Sequence, residues 1–179
     1  TVASRQAKDV LQKTLDGLEL KVVERTNELN ELVLEMNSIF EASGIGILVL
    51  RGGRILDKCN QRAANIFGYS SPEEMAGLPM EVFHLSEHHF LDFGAHHYYP
   101  LVQGESLQIE YQLKRKDGSP VWCLLSGKAL DNVTPPDLNK GVLWMVDDIS
   151  TRKEYEQQLE DLTLKLKSAQ KLGKLGWWE

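Results

Sequence analysis

All five histidines of the 179-residue chain fall in one short stretch: His84, His88, His89, His96 and His97. His84 and His88 are four residues apart, the spacing that sets two imidazoles on one face of a helix, and Glu81, Glu87 and Asp92 are close by. The pattern has two readings: a divalent-metal set, or the polar face of an exposed helix. Cys59 and Cys123 have neither metal-finger nor disulfide-framework spacing. A small packed residue is the ordinary role for Cys59. Ser, Asp and His are present, but no motif orders them as nucleophile, base and orienting acid. The chain has no phosphate-binding glycine loop, no GxSxG elbow and no kinase or nucleotide-cyclase signature. No catalytic residue and no metal ligand is therefore assigned, and the chemistry left open is binding.

Charge and composition narrow the partners. Against 20 Lys+Arg stand 26 Asp+Glu, a formal net charge of −6, and a general nucleic-acid binder needs the opposite balance. Apolar residues make up 42% and charged residues 26%, ordinary for a soluble folded protein. The longest apolar run, Gly44 to Leu50, is far short of the ~20 residues that span a bilayer, so no membrane insertion is expected of this chain. The sparse cysteines point to a reducing, cytoplasmic compartment. A chain that starts at Thr1 without a signal peptide reads as a piece of something larger.

The binding chemistry must be positioned by a central block between two helices. In residues 1–43, Leu11, Leu15, Leu18, Val22, Leu29, Leu32, Met36 and Ile39 recur at alternating steps of four and three, with Arg25 in the one gap. That is a heptad seam, and it predicts a coiled-coil dimer about 60 Å long, with Arg25 near solvent or paired. A second seam follows at Tyr155, Leu159, Leu162, Leu166 and Ala169, with Thr151 as expected N-cap and Glu154 completing a capping box. Between the seams, Ile45–Leu50 and Arg54–Asp57 read as a hairpin across Gly52-Gly53. Helices are expected at 61–67, stopped by Gly68, from Ser71-Pro72, and at 87–99, ended by Pro100. Strands are expected at 107–116, 121–130 and 141–148, the first two joined by a turn at Lys116-Asp117-Gly118-Ser119. The result is an α+β domain with a five-stranded antiparallel sheet and helices on one face.

The block resembles a PAS domain, the sensor module of bacterial signalling proteins. The resemblance runs from about Ser38 to Lys153. It rests on Asn60-Gln61-Arg62-Ala63-Ala64-Asn65-Ile66-Phe67-Gly68-Tyr69-Ser70, Glu73-Glu74-Met75-Ala76-Gly77, Arg115-Lys116-Asp117-Gly118-Ser119-Pro120-Val121-Trp122 and Asp147-Asp148-Ile149-Ser150-Thr151-Arg152-Lys153. Glu24-Arg25-Thr26-Asn27-Glu28-Leu29 resembles the helical linkers of histidine kinases and cyclic-di-GMP enzymes, and the stretch Ala169–Glu179 resembles the opening of a further PAS domain. The implied layout is a signalling helix at 1–43, a PAS domain at 44–150, a linker helix at 151–170 and the start of another PAS domain at 171–179.

In this family a ligand sits between the sheet's inner face and the helices. The resemblance implies a pocket drawn from Ile47, Phe67, Phe90, Phe93, His97, Ile109, Tyr111, Cys123, Leu125 and Trp144. Cys123, Leu125 and Gly127 should face inward, with Gly44, Gly46 and Gly127 leaving room. Trp122 and Leu124 should face outward, under the N-terminal helix or a partner. Haem-binding relatives use a helix histidine, for which His96 or His97 would stand; the axial histidine of those sensors falls near Asp92 here, and their ligand-side arginine falls on Ile109. The photoactive flavin relatives carry an Asn-Cys-Arg-Phe-Leu-Gln run that this chain lacks, Cys59-Asn60 being only a fragment of it. The cofactor is thus unknown, with haem and flavin as alternatives. Asp148, Ile149, Ser150 and Arg152 resemble the family's junction from last strand to exit helix, and imply a relay of signal. The expected function is a cytoplasmic sensor that binds a small molecule and acts, as a parallel homodimer, on a downstream domain of a histidine kinase or diguanylate cyclase. The alternative is a ligand-free scaffold for dimerisation.

Overall fold

The structure, a computed structural model, describes residues 2–175, and the side chains of 2–171. The pair Trp177-Trp178, on which the resemblance to a further PAS domain partly rests, lies outside the described residues. The chain divides after Ala42 into two compact units.

The first unit is helix α1 (Val2–Ala42), which buries none of its own residues. Without Pro, and with Gly17 the one glycine, nothing interrupts its hydrogen-bond ladder. The heptad residues are open in the single chain, from Leu15 at 44% exposed to Met36 at 65%. Arg25 pairs with Glu28 at 2.7 Å, one turn on, and stays in solvent.

The second unit is a five-stranded antiparallel sheet in the order β2-β1-β5-β4-β3. Strands β1 (Gly46–Arg51) and β2 (Ile55–Cys59) form a hairpin. Strands β3 (Leu107–Lys114), β4 (Pro120–Ala129) and β5 (Val142–Asp148) complete it. Along β4 the burial alternates, with Val121, Cys123, Leu125 and Gly127 inward and Trp122, Leu124 and Ser126 half-exposed. Between β2 and β3 lie α2 (Gln61–Phe67), α3 (Pro72–Met75), a 3₁₀ turn (Met80–Phe83), α4 (Glu87–His97) and α5 (Tyr99–Val102). They cover the inner face, where Leu48, Leu125, Val146, Phe67, Phe83 and Phe93 form one core.

Sequence and structure part company at a few boundaries. The expected helix at 87–99 is two: α4 ends at His97, and Pro100 sits in the first turn of α5 rather than stopping α4. Proline lacks the amide that a first turn leaves unused, so it starts helices as readily as it ends them. The exit helix α6 (Ser150–Leu175) begins one residue before Thr151, because the Asp148 carboxylate accepts from Ser150 N at 2.9 Å and supplies the cap. The room foreseen at two glycines is filled. A Cβ on Gly46 would stand 3.0 Å from Ala63 Cα, where α2 crosses β1, and one on Gly127 would stand 2.7 Å from the Trp144 ring. Gly44 has nothing within 4 Å. On the outer face, Lys153 of α6 lies 5.4 Å over the Trp122 ring.

Asn60 fixes the join between sheet and helices. It is fully buried, its Oδ1 accepts from Ile47 N (2.9 Å) and Ala63 N (3.0 Å), and its Nδ2 donates to Ile45 O (3.0 Å). Asn60→Ala would strand three backbone groups. It should cost about 2–4 kcal/mol in urea unfolding, and a loss under about 1 kcal/mol would show that water replaces the amide.

Candidate ligand-binding site

The hairpin turn between β1 and β2 starts the site. Gly52, Gly53 and Arg54 take left-handed φ of 49°, 84° and 70° in succession. Glycine adopts this freely; an arginine does not, and its position there is a local strain held by its surroundings. The turn delivers the Arg54 side chain beneath α4. Its Nη1 donates to Phe90 O at 3.0 Å, and its guanidinium lies 3.8 Å over the Phe90 ring and 4.9 Å from that of Tyr98. Gly94 leaves the space for it, since a Cβ there would meet Arg54 Nη1 at 3.0 Å. Among the described residues no carboxylate pairs with Arg54, and burial pulls its pKa down.

Arg54 Nη2 lies 3.4 Å from His84 Nε2, and His84 Nδ1 lies 3.2 Å from His89 Nδ1. Arginine only donates, so His84 Nε2 is the acceptor and its proton sits on Nδ1, directed at His89. His84 is 2% exposed. Burial first, and the Arg54 charge second, push its pKa down to about 3, so it is neutral. His89 stacks on Tyr111 at 4.5 Å.

Arg54 and His84 line a cavity with Leu48, Leu50, Met80, Phe93, Tyr98, Leu113, Leu125, Trp144 and Val146. It is slot-like, with a volume of about 20 Å³, room for one water molecule. The benzo edge of Trp144 lies against Gly127, which leaves Nε1 on the indole's other side. Trp144 Nε1 and Arg54 Nε are both buried and make no hydrogen bond. The Tyr98 hydroxyl approaches both residues; burial raises its phenol pKa, and the Arg54 charge and the approach of the Trp144 and Arg54 N–H groups oppose the rise.

Of the residues expected in the pocket, Phe93, Leu125 and Trp144 line this cavity. Phe90 lies under Arg54, and Tyr111 and His97 contact Phe93 at 4.8 and 5.0 Å from outside it. Ile109 is half-buried against the core. Phe67 is core, packed on Phe83 at 4.9 Å. Cys123 is fully buried, and burial pushes its thiol up to about 12. Ile47 falls on the other side of β1, opposite Met145, and Leu48 and Leu50 take the inward places. His84 and His88 do not share a helix face, because Ser86 caps α4 after His84 and the true neighbour is His89. His96 is exposed and pairs with Asp92 at 3.1 Å. Among the described residues no three His, Cys, Asp or Glu side chains converge on a metal position. The slot does not admit a haem or flavin ring system. Arg54 was missed as a site residue. Its one sequence signal is a long cation directly after Gly-Gly in a hairpin.

At the far end of β5, Asp148 Oδ2 accepts from Arg115 Nη2 at 2.7 Å. Arg115 Nε also donates to Ile66 O at the end of α2, at 2.9 Å. Burial alone would raise the Asp148 carboxyl, but the bonds from Ser150 and Arg115 outweigh it and hold it low. Ser150 Oγ accepts from Trp122 N (3.1 Å), and Ile149 N donates to Trp122 O (2.9 Å). Glu110 of β3 pairs with Arg152 and with Lys153, the latter at 2.5 Å.

A family model described as PAS domain matches residues 43–151, the sheet, its helices and this junction. The chain belongs to the PAS domain family. It is 30% identical over 128 residues to the sensor protein TdiS of Thauera aromatica, a match covering 72% of this chain and 22% of that one, so the chain spans about a fifth of that relative's length. It is 26% identical to the PAS domain, in complex with ethanol, of a LuxR-family transcriptional regulator from Burkholderia thailandensis (TM-score 0.57, covering 64% of this chain and 96% of that one). A domain of a sensory box sensor histidine kinase/response regulator from Geobacter sulfurreducens shares the fold at 20% identity (TM-score 0.52, covering 67% and 96%). The PAS domain is thus a sensory, signal-transduction module. Among the described residues no helix is long and apolar enough to cross a membrane.

The buried neutral His84 makes the PAS domain acid-sensitive. An unfolded imidazole titrates near 6.5 and the folded one near 3, so the unfolded chain binds the proton first. Stability is complete above pH 6.5 and falls as pH drops toward 3; His89 and His97, lowered by burial, add in the same direction. Between pH 6.5 and 5, before carboxylates titrate, unfolding free energy should fall by up to about 1.4 kcal/mol per pH unit for this one proton. His84→Phe should flatten that slope, and an unchanged slope would place the proton uptake elsewhere.

Proposed function

We propose that this chain is a cytoplasmic sensor module in which a small molecule settles between the sheet and α4, and β5 carries the effect to the exit helix. The observation that carries the reading is the pair of unmet buried donors, Arg54 Nε and Trp144 Nε1, in an apolar cavity. A folded domain leaves few buried polar groups unsatisfied unless something else completes them. Trp144 and Asp148 lie on the same strand, four residues apart, so β5 is committed at two points: at Trp144 to the cavity and at its last residue to α6. Asp148, Ile149, Ser150 and Arg152 are the relay in this reading, and Arg115 joins them because it bridges α2 to Asp148.

Dimerisation through the seams of α1 and α6 belongs to the same proposal. Tyr155, Leu159, Leu162 and Leu166 are between 55% and 65% exposed in the single chain, as the seam of α1 is. Two parallel exit helices would act together on a downstream domain, of histidine kinase or diguanylate cyclase type. The narrowness of the slot supports a second reading, a ligand-free scaffold whose work is the dimer alone.

Native mass spectrometry of the purified chain should give a dimer, and a monomer would remove the seams from the mechanism. In the full-length protein, Asp148→Ala should cost about 1–3 kcal/mol of domain stability and change the output. A folded variant with unaltered output would break the link from β5 to α6.

A further inference from the structure

Resting on that reading of the cavity as a ligand site, we propose that its ligand is a small monocarboxylate whose oxygens take the Arg54 Nε–H and the Trp144 Nε1–H.

The donors and acceptors of the cavity do not balance. Arg54 Nη1 is used by Phe90 O and Nη2 by His84 Nε2, leaving Nε without a partner. Trp144 is 4% exposed, and its Nε1 has no partner either. Both free groups are donors that cannot accept, so the missing partner must supply lone pairs. Two acceptors stand near: His84 Nε2 is already engaged by Arg54, and the Tyr98 hydroxyl approaches both Arg54 and Trp144 without completing a hydrogen bond to Nε or Nε1.

Charge points the same way. No acidic residue lines the cavity, and no carboxylate among the described residues pairs with Arg54. The faces of Phe90 and Tyr98 attract the cation but offer no counter-charge to it. A buried guanidinium without an anion is an expensive arrangement, and a carboxylate with two oxygens matches two separate N–H groups. An alcohol brings one oxygen and a hydroxyl proton that would itself need an acceptor. The remaining wall, from Leu48, Leu113, Leu125 and Val146, is apolar, and it must part from its present width of about one water molecule to take a short hydrocarbon tail.

The geometry also gives an entrance. A wider cleft of about 170 Å³ adjoins the slot and shares Leu50, Arg54 and Tyr98 with it. Its wall includes Arg51 and Asn139 and no acidic side chain. An anion entering there passes cationic and neutral groups on its way, and Arg54 with Tyr98 stands at the boundary between cleft and slot.

The test is a nuclear magnetic resonance titration of the whole chain with sodium acetate, propionate and butyrate, with ethanol and 1-propanol as neutral probes at matched ionic strength. The carboxylates should shift the Trp144 Nε1–H and Arg54 Nε–H signals saturably. Trp144→Phe, which keeps a ring but loses the donor, and Arg54→Met should each weaken carboxylate affinity about tenfold or more. If Arg54→Met fails to fold, Trp144→Phe decides alone. Saturable binding of the alcohols with equal or greater affinity, unaffected by Trp144→Phe, would overturn the carboxylate assignment while leaving a ligand cavity in place. No saturable shift with any of the five probes would overturn the assignment and the cavity reading together.

Discussion

The Asn60 side chain joins the first residues of β1 to the first turn of α2, and much of the domain hangs from that join. With α2 seated there, its backbone comes so near β1 that only glycine fits at Gly46. The other end of α2 is held by Arg115, which takes Ile66 O and passes to Asp148. Helix α2 is therefore a strut with one foot on β1 and the other at the start of α6. Its C-terminal stop, Gly68 at φ 76°, returns the chain so that Phe67 O can accept from Lys116 N beside the same arginine. A short helix is weak alone, and here two polar clamps and a buried face of Ala63, Ile66 and Phe67 make it rigid.

The cavity exists because two glycines let two large side chains lie where ordinary packing would forbid them. Gly127 admits the Trp144 indole, and Gly94 admits the Arg54 guanidinium. Each side chain brings into an apolar interior an N–H group that makes no hydrogen bond there, with the Tyr98 hydroxyl an acceptor close to both. The strain of a left-handed Arg54 adds to the cost. Costs of these kinds gather where a chain is shaped for something other than its own stability.

Much of this was legible in the residues, and the failures have physical reasons. The span of α2 is legible because Ala63, Ile66 and Phe67 share one side and Gly68 marks the stop, while the N-cap role of Asn60 shows only in the structure. On β4 alternation separates Cys123, Leu125 and Gly127 from Trp122, Leu124 and Ser126, but both sets hold large apolar residues, and it is the resemblance to PAS domains that says which set faces inward. On β1 the run Ile47-Leu48-Val49-Leu50 is apolar on both sides, so alternation cannot tell which face is inward, and Ile47 was assigned to the wrong one. The pairing of His84 with His88 assumed a helix that starts only after Ser86. Arg54 escaped because a charged residue after two glycines reads as a turn exposed to water. Nothing in the local sequence says that α4, more than thirty residues later, will close over it.

For anything in the cavity to alter α6, it must favour one arrangement of β5 over another, since binding that is equal in both states moves no equilibrium. The fold makes such a difference expressible. Trp144, Val146 and Asp148 alternate onto one face of β5, the first in the cavity and the last bonded to Ser150 and Arg115. Both neighbours of β5 are hydrogen-bonded to it, so the strand cannot bend freely and a displaced indole is resisted by β1 and β4 together. Gly127 sits opposite Trp144, and Cys123 opposite Asp148. Trp122, next to Cys123, in turn holds Ser150 and Ile149. Strand β4 thus touches both ends of the same route. A change at the indole reaches α6 along β5 through Asp148 and along β4 through Trp122, and the angle of the exit helix is set by whether those two bonds can be kept at once.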